Sequence, residues 1–178
     1  MVTDKKMREK YKALTEKARK IKLVLTDSDG VLTDTGVYYS ADGEVMKRFS
    51  IRDGMGVERL RDTLGIETGI ITGELSGSVR KRAEKLKIRY LYQGIKNKKS
   101  LFTEILADLN LQKENIAFIG DDVNDLELLK EVGLSATPAD GTDFVKNVVH
   151  YICENAGGNG AFREFAELII SLNEANNF

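Results

Sequence analysis

The sequence predicts an α/β fold in which helices cover both faces of a parallel sheet. Six apolar runs, several of them rich in β-branched and aromatic residues, alternate with segments whose apolar residues recur at helical spacing. This alternation is typical of parallel strands joined by crossover helices. A chain of 178 residues is long enough for one buried core, and its single cysteine excludes an internal disulfide.

The predicted elements follow in a regular order. Residues 1–20 are rich in Lys, Glu and Ala, which favours a charged N-terminal helix ahead of a single domain at 21–178. Strands are predicted at 21–26, 66–72, 88–93, 114–120, 133–137 and 148–153, and helices at 54–64, 75–87, 97–110, 123–132, 141–147 and 161–174. One insertion, residues 36–50, consists of two β-type runs joined by an Asp-Gly turn, which predicts a hairpin.

Charge and hydropathy restrict the classes of function. Lys and Arg total 27 against 28 Asp and Glu, so the chain has no overall attraction to nucleic acid or to an anionic membrane. No apolar run approaches the roughly 20 residues that a membrane helix needs. The charged start also lacks the apolar segment of a signal peptide. We therefore expect a cytoplasmic protein that binds a small molecule, with no nucleic-acid or membrane partner.

Polar residues lie at the ends of four of the predicted strands. In chain order they are Asp27 and Asp29, Thr72 with Gly73 beside it, Lys96 and Lys98, and Asp121, Asp122 and Asp125. Parallel strands end at the same edge of a sheet, so these groups are expected to converge there. Carboxylates that lie close together require a cation, and hard oxygen ligands with open positions suit Mg²⁺. The sequence therefore predicts a magnesium site at this edge.

The same groups suit phosphoryl transfer. One carboxylate can attack phosphorus, a second can protonate the leaving oxygen and then activate water, and a hydroxyl with an ammonium can neutralise the phosphoryl oxygens. At these residues the sequence resembles the haloacid dehalogenase superfamily of Mg²⁺-dependent phosphohydrolases. DSDGVLTD (27–34), IITG (70–73), QGIKNK (93–98) and IGDDVND (119–125) match its four motifs, in the family's order.

The resemblance implies a role for each catalytic residue. Asp27 would be the nucleophile, forming an aspartyl-phosphate, and Asp29 the general acid and base. Thr72, Gly73 and Lys98 would bind the transferring phosphoryl group. The implied core is a Rossmann-like sheet without a cap domain.

The resemblance also implies a set of metal ligands. Asp121 would bind Mg²⁺ together with the Asp27 side chain and the Asp29 backbone carbonyl. Asp122 and Asp125 would support the ion through water or hydrogen bonds.

Two positions near the motifs need separate interpretation. In relatives the motif lysine follows the strand-end glycine by four positions, which favours Lys98 after Gly94 over Lys96 and Lys99. Ser28 occupies a position that is usually apolar in relatives. Strand periodicity directs it away from the two acids, so we expect a core-side hydroxyl bonded to backbone.

The short hairpin stands where the superfamily inserts a small cap. This architecture is similar to the capless branch that contains 3-deoxy-D-manno-octulosonate 8-phosphate phosphatases and nonulosonate 9-phosphate phosphatases. The resemblance implies a sugar-acid phosphate as substrate. It also implies a homotetramer in which the hairpins assemble centrally and neighbouring subunits close the active sites.

Residues outside the motifs resemble enzymes that act on two different substrates. Glu74 and Lys85 resemble the nonulosonate type, whereas IRDGMG (51–56) resembles the octulosonate type, and the balance favours the nonulosonate slightly. The C-terminal GGNGAFRE (157–164) resembles a tail segment that folds near the active site. Arg163 would then contact an anionic substrate; a solvated arginine on a flexible loop is the alternative.

Two other functions stay open. A phospho-accepting receiver also combines acids, Mg²⁺, Thr and Lys, but its lysine comes last, whereas Lys98 precedes the final acidic motif here. A catalytically silent tetramerisation module is the second alternative, and the intact motif residues oppose it. The sole histidine, His150, and the sole cysteine, Cys153, are expected to be structural.

Overall fold

Helices and strands alternate along residues 2–174, the part of the chain that this computed structural model describes. The helices are α1 Val2–Ala18, α2 Ile51–Leu64, α3 Gly77–Leu86, α4 Lys98–Asp108, α5 Leu126–Glu131, α6 Asp143–Lys146 and α7 Ala161–Glu174. The strands are β1 Leu23–Thr26, β2 Thr33–Ser40, β3 Gly43–Phe49, β4 Glu67–Ile71, β5 Tyr90–Tyr92, β6 Ile116–Ile119, β7 Leu134–Thr137 and β8 Tyr151–Ile152. The predicted leader and domain also include residues 1 and 175–178, which lie outside the described part.

Six strands form one parallel sheet in the order β5-β4-β1-β6-β7-β8. In this sheet, Thr26 of β1 lies opposite Ile70 of β4 and Ile119 of β6. The chain leaves these three neighbouring strands at one edge, so the residues that follow them meet there. The predicted α/β fold with a parallel sheet is confirmed.

Side chains of β1 alternate between two apolar clusters, one on each face of the sheet. Val24 belongs to a cluster that includes residues of α1, α2, α3 and α7. Leu23 and Leu25 belong to a second cluster, built with residues of α4, α5 and α6. Because both faces are covered, the strand carries no charged residue, and the first one comes where it ends.

Helix α2 begins three residues before its predicted start because Ser50 caps it. The Ser50 hydroxyl accepts hydrogen bonds from the backbone N–H groups of Arg52 and Asp53. Asp53 is buried and accepts hydrogen bonds from the Gly160 and Arg163 N–H groups. This carboxylate therefore ties the start of α2 to the start of α7.

Strands β2 and β3 form the predicted hairpin as a separate two-stranded sheet. Pairing begins at Thr33 opposite Phe49, three residues before the predicted start, and closes at Ser40 opposite Gly43. Large apolar side chains are exposed along it: Tyr38, Tyr39, Val45 and Met46. The hairpin therefore presents an apolar surface that the described residues do not cover.

Helix α1 packs against the rest of the fold through its C-terminal half. Leu14 and Ala18 are buried, and the Lys17 ammonium donates to the Gly133 carbonyl at 3.0 Å. The side-chain amide of Asn173 in α7 donates to the Ala18 carbonyl at 3.3 Å. Along residues 2–174, no helix combines the length and apolar character that a membrane crossing needs.

His150 and Cys153 are structural, as the sequence predicts. His150 Nδ1 lies 2.7 Å from Ser135 Oγ and accepts from the Ser135 N–H at 3.0 Å, which joins two neighbouring segments of the sheet edge. Cys153 is buried and its Sγ contacts the Ala161 carbonyl at 3.5 Å. Burial raises the pKa of this thiol, which disfavours the nucleophilic thiolate form.

Candidate active site

Asp27 extends the central strand by one residue into the site. Its N–H donates to the Ile119 carbonyl at 3.0 Å, so the sheet ladder continues past Thr26, and solvent reaches only 5% of the residue. The chain then turns, because the Ser28 carbonyl accepts hydrogen bonds from the Leu32 and Thr33 N–H groups. Asp27 and Asp29 therefore lie on either side of the first residue of a tight turn.

Gly30 gives the turn its conformation and leaves room for a carboxylate. Its φ of 93° is one that side-chain-bearing residues rarely adopt. A Cβ at this position would lie 2.1 Å from Asp121 Oδ2. Close approach of the Asp27 loop to Asp121 therefore requires glycine here.

Ser28 is completely buried, but its predicted hydrogen bond is wrong. Its Oγ has no hydrogen-bond partner among the described residues. The Leu32 and Thr33 N–H groups both donate to the Ser28 carbonyl, so these two backbone donors are satisfied without the hydroxyl.

Lys98 joins two of the carboxylates. Its ammonium lies 2.5 Å from Asp27 Oδ1 and 2.6 Å from Asp125 Oδ1, and solvent reaches 4% of the residue. Asn97 caps α4 by accepting from the Ser100 N–H at 2.9 Å, which places Lys98 in the first turn of that helix. Of the three lysines that the sequence offers, the structure brings Lys98 to the acids. Lys96 is exposed, and Lys99 pairs with Glu131.

Thr72 brings its hydroxyl to the second acid. Thr72 is buried, its Oγ1 donates to Asp29 Oδ2 at 3.5 Å, and it accepts from the Glu74 N–H at 3.2 Å. The Thr72 carbonyl accepts from the Ile95 N–H at 3.0 Å, which joins the loops after β4 and β5. Gly73 follows at the exposed surface, in the loop between Thr72 and Glu74.

The three aspartates of the acidic motif after β6 lie in three different environments. Asp125 is fully buried, and its Oδ2 accepts from the Asp121 N–H at 3.1 Å. Asp121 is partly buried, next to Gly30. Asp122 is exposed and accepts from the Val123 N–H at 2.7 Å, so it caps the short 3₁₀ turn. Asp122 therefore has a local structural role and lies outside the buried group of acids.

The carboxylates of Asp27, Asp121 and Asp125 form one group that fits a cation. Each offers an oxygen, and these oxygens lie within 4.8 Å of one another. Burial, reinforced by the neighbouring Asp125 and Asp29 charges and opposed by Lys98, raises the pKa of Asp27 to about 7. Burial and the Asp27 charge raise the pKa of Asp121 to about 8. Both shifts arise first from burial and then from repulsion between the carboxylates, and both conditions favour binding of a cation.

The charges around the group are consistent with a divalent ion. Among the described residues, the ionisable groups that contact one another here are five carboxylates and two ammonium groups, namely Asp27, Asp29, Glu44, Asp121, Asp125, Lys47 and Lys98. Fully ionised, they leave an excess of three negative charges. Oxygen donors with this excess suit a hard divalent cation such as Mg²⁺. Both oxygens of Asp125 are already bonded, Oδ1 to Lys98 and Oδ2 to the Asp121 N–H, whereas Lys98 engages only Oδ1 of Asp27. Asp27 and Asp121 are therefore the better placed ligands.

Lys47 is a member of the site that the sequence reasoning missed. It lies on β3 of the hairpin, and its buried ammonium is 2.6 Å from Asp29 Oδ1 and 3.5 Å from Glu44 Oε2. Burial lowers the pKa of Lys47, but the hydrogen bond and charge of Asp29 more than offset this, so the pKa lies above its usual value. Alternation along β3 puts Lys47 on the same side as Phe49, which packs on the core. This alternation could have indicated that the Lys47 side chain points inward.

The structure does not bring the three predicted substrate residues into the carboxylate group. Glu74 and Lys85 are exposed, the first directly after Gly73 and the second in the last turn of α3. The Arg163 guanidinium pairs along α7 with Glu167 at 2.8 Å, and Glu167 also pairs with Arg59. A role of these residues in substrate binding stays a prediction.

The glycine-rich segment before Arg163 does reach the site. The Gly158 N–H donates to the Val31 carbonyl at 2.8 Å, and a Cβ at Gly157 would lie 2.0 Å from the Gly30 carbonyl oxygen. The segment therefore packs directly against the turn that carries Asp27 and Asp29.

Comparison with known proteins decides the family. A family model described as haloacid dehalogenase-like hydrolase matches residues 61–165, more than half of the chain. The chain belongs to this family. The resemblance that the four motifs indicate is therefore confirmed.

Relatives of this haloacid dehalogenase-like hydrolase are similar along most of its length. It is 40% identical over 154 residues to 3-deoxy-D-manno-octulosonate 8-phosphate phosphatase of Escherichia coli K12, which covers 86% of this chain and 81% of that one. A crystal structure of the Yersinia pestis phosphatase of the same name has a TM-score of 0.86, with 37% identity and coverage of 91% and 87%. A Moraxella catarrhalis phosphatase in complex with magnesium, phosphate and KDO has a TM-score of 0.86, with 36% identity and coverage of 90% and 92%.

Proposed function

We propose that this hydrolase is a Mg²⁺-dependent phosphatase that removes the terminal phosphate of a 3-deoxy-2-ulosonic acid phosphate. The observation that carries the proposal is the buried arrangement of Asp27, Lys98 and Asp121 beside Asp29 and Thr72. It combines a nucleophile, a second acid, a cationic clamp and oxygen ligands for a metal.

Asp27 and Asp29 divide the reaction between them. A carboxylate oxygen of Asp27 attacks phosphorus, the bond from phosphorus to the ester oxygen breaks, and Asp29 gives its proton to that oxygen. An aspartyl-phosphate on Asp27 remains. In the second step a water oxygen attacks phosphorus, Asp29 takes the proton of the water, and the bond to Asp27 breaks to release phosphate.

Thr72 and Lys98 support the transferring group. The Thr72 hydroxyl is next to Asp29, and the Lys98 ammonium is next to Asp27, so both donors border the position of the phosphoryl oxygens. Asp27 and Asp121 would hold Mg²⁺, with the Asp29 carbonyl as the third protein ligand. When bound, the ion neutralises phosphoryl charge that these two donors leave uncompensated.

The octulosonate 8-phosphate is the first candidate substrate. The names of the Escherichia coli, Yersinia and Moraxella relatives support it over the nonulosonate 9-phosphate that the sequence slightly favours. A nonulosonate stays the second candidate because exposed Glu74 directly follows the Thr72-Gly73 pair. A sugar whose phosphate is bound at Thr72 would lie next to the Glu74 carboxylate.

A homotetramer built around the hairpins is part of the proposal. Tyr38, Tyr39, Val45 and Met46 are between 52% and 72% exposed on the hairpin. Apolar side chains concentrated on one element are typical of a subunit interface. The site also opens at the strand ends without a cap, so a neighbouring subunit would exclude water from it.

The test is phosphate release from purified protein with 3-deoxy-D-manno-octulosonate 8-phosphate, nonulosonate 9-phosphates and 4-nitrophenyl phosphate, with and without Mg²⁺. We expect turnover that requires Mg²⁺ and is fastest with the octulosonate ester. Faster turnover of a nonulosonate ester would reverse the order of the two sugars. Absence of turnover with every ester would refute the phosphatase and favour the silent module. A stable phosphoprotein without turnover would instead favour the receiver.

A further inference from the structure

The hairpin inserts one charged side chain into the site. The Lys47 side chain is 1% exposed, although β2 and β3 are otherwise largely solvent-facing. Its ammonium lies 2.6 Å from Asp29 Oδ1. Burial of an ammonium is unfavourable unless a carboxylate compensates it, so this pair is a fixed feature of the fold.

Lys47 and Thr72 together determine the orientation of the Asp29 carboxylate. Lys47 donates to Oδ1 and the Thr72 hydroxyl donates to Oδ2 at 3.5 Å, so each oxygen has a donor on a different element. The Lys47 contact is much the shorter of the two. The hairpin therefore provides the stronger restraint on this carboxylate.

A second link joins the hairpin to α3. Glu44 Oε1 accepts from Ser76 Oγ at 2.5 Å, and Glu44 Oε2 lies 3.5 Å from the Lys47 ammonium. Ser76 caps α3 by accepting from the Val79 N–H at 3.3 Å, and its carbonyl accepts from the Gln93 amide at 2.8 Å. Strand β3 is thus held between Asp29 and the start of α3.

We propose that Lys47 is a positioning residue for the acid and base chemistry of Asp29. It holds the Asp29 carboxylate toward the leaving oxygen, and because Lys47 lies on the hairpin, the hairpin sets the geometry of proton transfer. This inference rests on the proposed phosphatase function. The competing explanation is that Lys47 only fastens the hairpin to the core.

The two explanations differ in their dependence on the leaving group. An alkoxide leaving from a sugar phosphate needs the proton of Asp29 as the ester bond breaks, whereas 4-nitrophenolate is stable enough to leave without it. A displaced Asp29 therefore slows formation of the aspartyl-phosphate from the sugar ester selectively. A loosened hairpin without this role slows both esters alike.

The experiment compares Lys47→Met with the wild-type protein in single-turnover, rapid-quench reactions. The substrates are 3-deoxy-D-manno-octulosonate 8-phosphate and 4-nitrophenyl phosphate, each with saturating Mg²⁺. Phosphoenzyme formation from the sugar ester is expected to fall by about 10²-fold, the range of general acid catalysis. With 4-nitrophenyl phosphate the fall is expected to be less than about 5-fold, and KM for the sugar ester should change little.

Two further variants complete the design. Lys47→Arg retains a cation and is expected to recover part of the selective loss. Lys81→Met removes an exposed lysine of α3 and should leave both rates unchanged. Misfolded protein lowers both rates together, so the ratio of the two esters reports on Lys47 even when part of a preparation is inactive. If Lys47→Met yields no folded protein, the same ratio is measured for Lys47→Gln, which keeps a polar head but lacks the ammonium that bonds to Asp29.

Equal losses with the two esters, or a change confined to KM, would overturn the inference and leave Lys47 as a structural fastening. An unchanged ratio in Lys47→Gln, measured where Lys47→Met does not fold, would do the same. Inactivity of the wild-type protein toward both esters is a separate result, because it would refute the proposed function itself.

Discussion

The Lys98 ammonium lies 2.5 Å from Asp27 Oδ1, and solvent reaches only 3% and 7% of the two side chains. The same ammonium is 2.6 Å from Asp125, so one buried cation serves two carboxylates. Removal of a single member of such a group leaves charges that neither water nor protein compensates. Lys98 is therefore expected to contribute to stability as well as to catalysis.

Lys98→Met should destabilise the protein while abolishing most of its activity. At pH 8 we expect the free energy of unfolding in urea to fall by about 3 kcal/mol, because two buried carboxylates lose their shared cation. Lys99→Met is the matched control: that lysine pairs with Glu131 at the surface, and its loss should leave the unfolding curve almost unchanged. Equal unfolding curves for the two variants would contradict the inferred role of the buried ion pair.

Stabilisation by Mg²⁺ should increase with pH. In the metal-free protein the pKa values of Asp27 and Asp121 are raised to about 7 and about 8, so the folded state binds more protons than the unfolded state between pH 4 and these values. The metal-free protein therefore loses stability as pH rises through this window. Mg²⁺ competes with those protons, so its stabilising effect should be small at pH 5.5 and large at pH 8.5.

Thermal melts with and without Mg²⁺ at pH 5.5, 7 and 8.5 measure this dependence. Ca²⁺ and Na⁺ at matched ionic strength serve as controls for general screening. An Mg²⁺-induced rise in Tm that is the same at all three pH values would show that these two acids do not bind the ion.

Gly30→Ala should weaken metal binding. The added Cβ would meet Asp121 Oδ2 at 2.1 Å and displace that carboxylate. We expect the Mg²⁺ concentration for half-maximal activity to rise by at least about tenfold. Gly43→Ala is the matched control. Gly43 has a similar φ of 112°, but a Cβ there would have no atom within 4 Å. Each variant should lose about 1–2 kcal/mol of stability through backbone strain, and the shift in Mg²⁺ dependence should appear in Gly30→Ala alone.

The double variant Tyr38→Ser, Met46→Ser should disrupt the proposed tetramer. These two side chains face each other across the hairpin and are 61% and 53% exposed. Aromatic and methionine side chains contribute strongly to interfaces, so we expect smaller species in sedimentation velocity. Phe144→Ser, which removes an exposed aromatic residue of α6, should leave the sedimentation coefficient unchanged. A wild-type protein that sediments as a monomer would contradict the tetramer.

Local sequence patterns predicted most of the fold. The apolar runs predicted six strands within a few residues of their observed bounds. Strands such as β1 are buried on both faces, so they are rich in apolar residues and can be recognised in the sequence. Helix α2 begins three residues ahead of its predicted start because the Ser50 cap accepts from the N–H groups of Arg52 and Asp53. Capping depends on backbone geometry that periodicity does not contain.

The acids of the site, with Thr72 and Lys98, could be predicted from the sequence, whereas Lys47 was missed. Asp27, Asp121 and Asp125 meet because strand ends meet, which the alternation of elements implies. Alternation along β3 indicates that Lys47 faces the core, but its pairing with Asp29 depends on how the hairpin packs, a tertiary relationship that the spacing does not contain. The Ser28 hydroxyl has no hydrogen-bond partner among the described residues, while the Ser28 carbonyl is bonded within the turn.

The most direct test of the central proposal is to trap the covalent intermediate. Wild-type protein, reacted with 3-deoxy-D-manno-octulosonate 8-phosphate and Mg²⁺ and quenched in acid within milliseconds, is digested and analysed by mass spectrometry. The predicted result is a phosphoryl group on the peptide that contains Asp27, absent in Asp27→Asn, whose turnover should fall by more than about 10³-fold. Undiminished turnover in Asp27→Asn, or a phosphoryl group on another residue, would contradict the assignment of Asp27 as nucleophile.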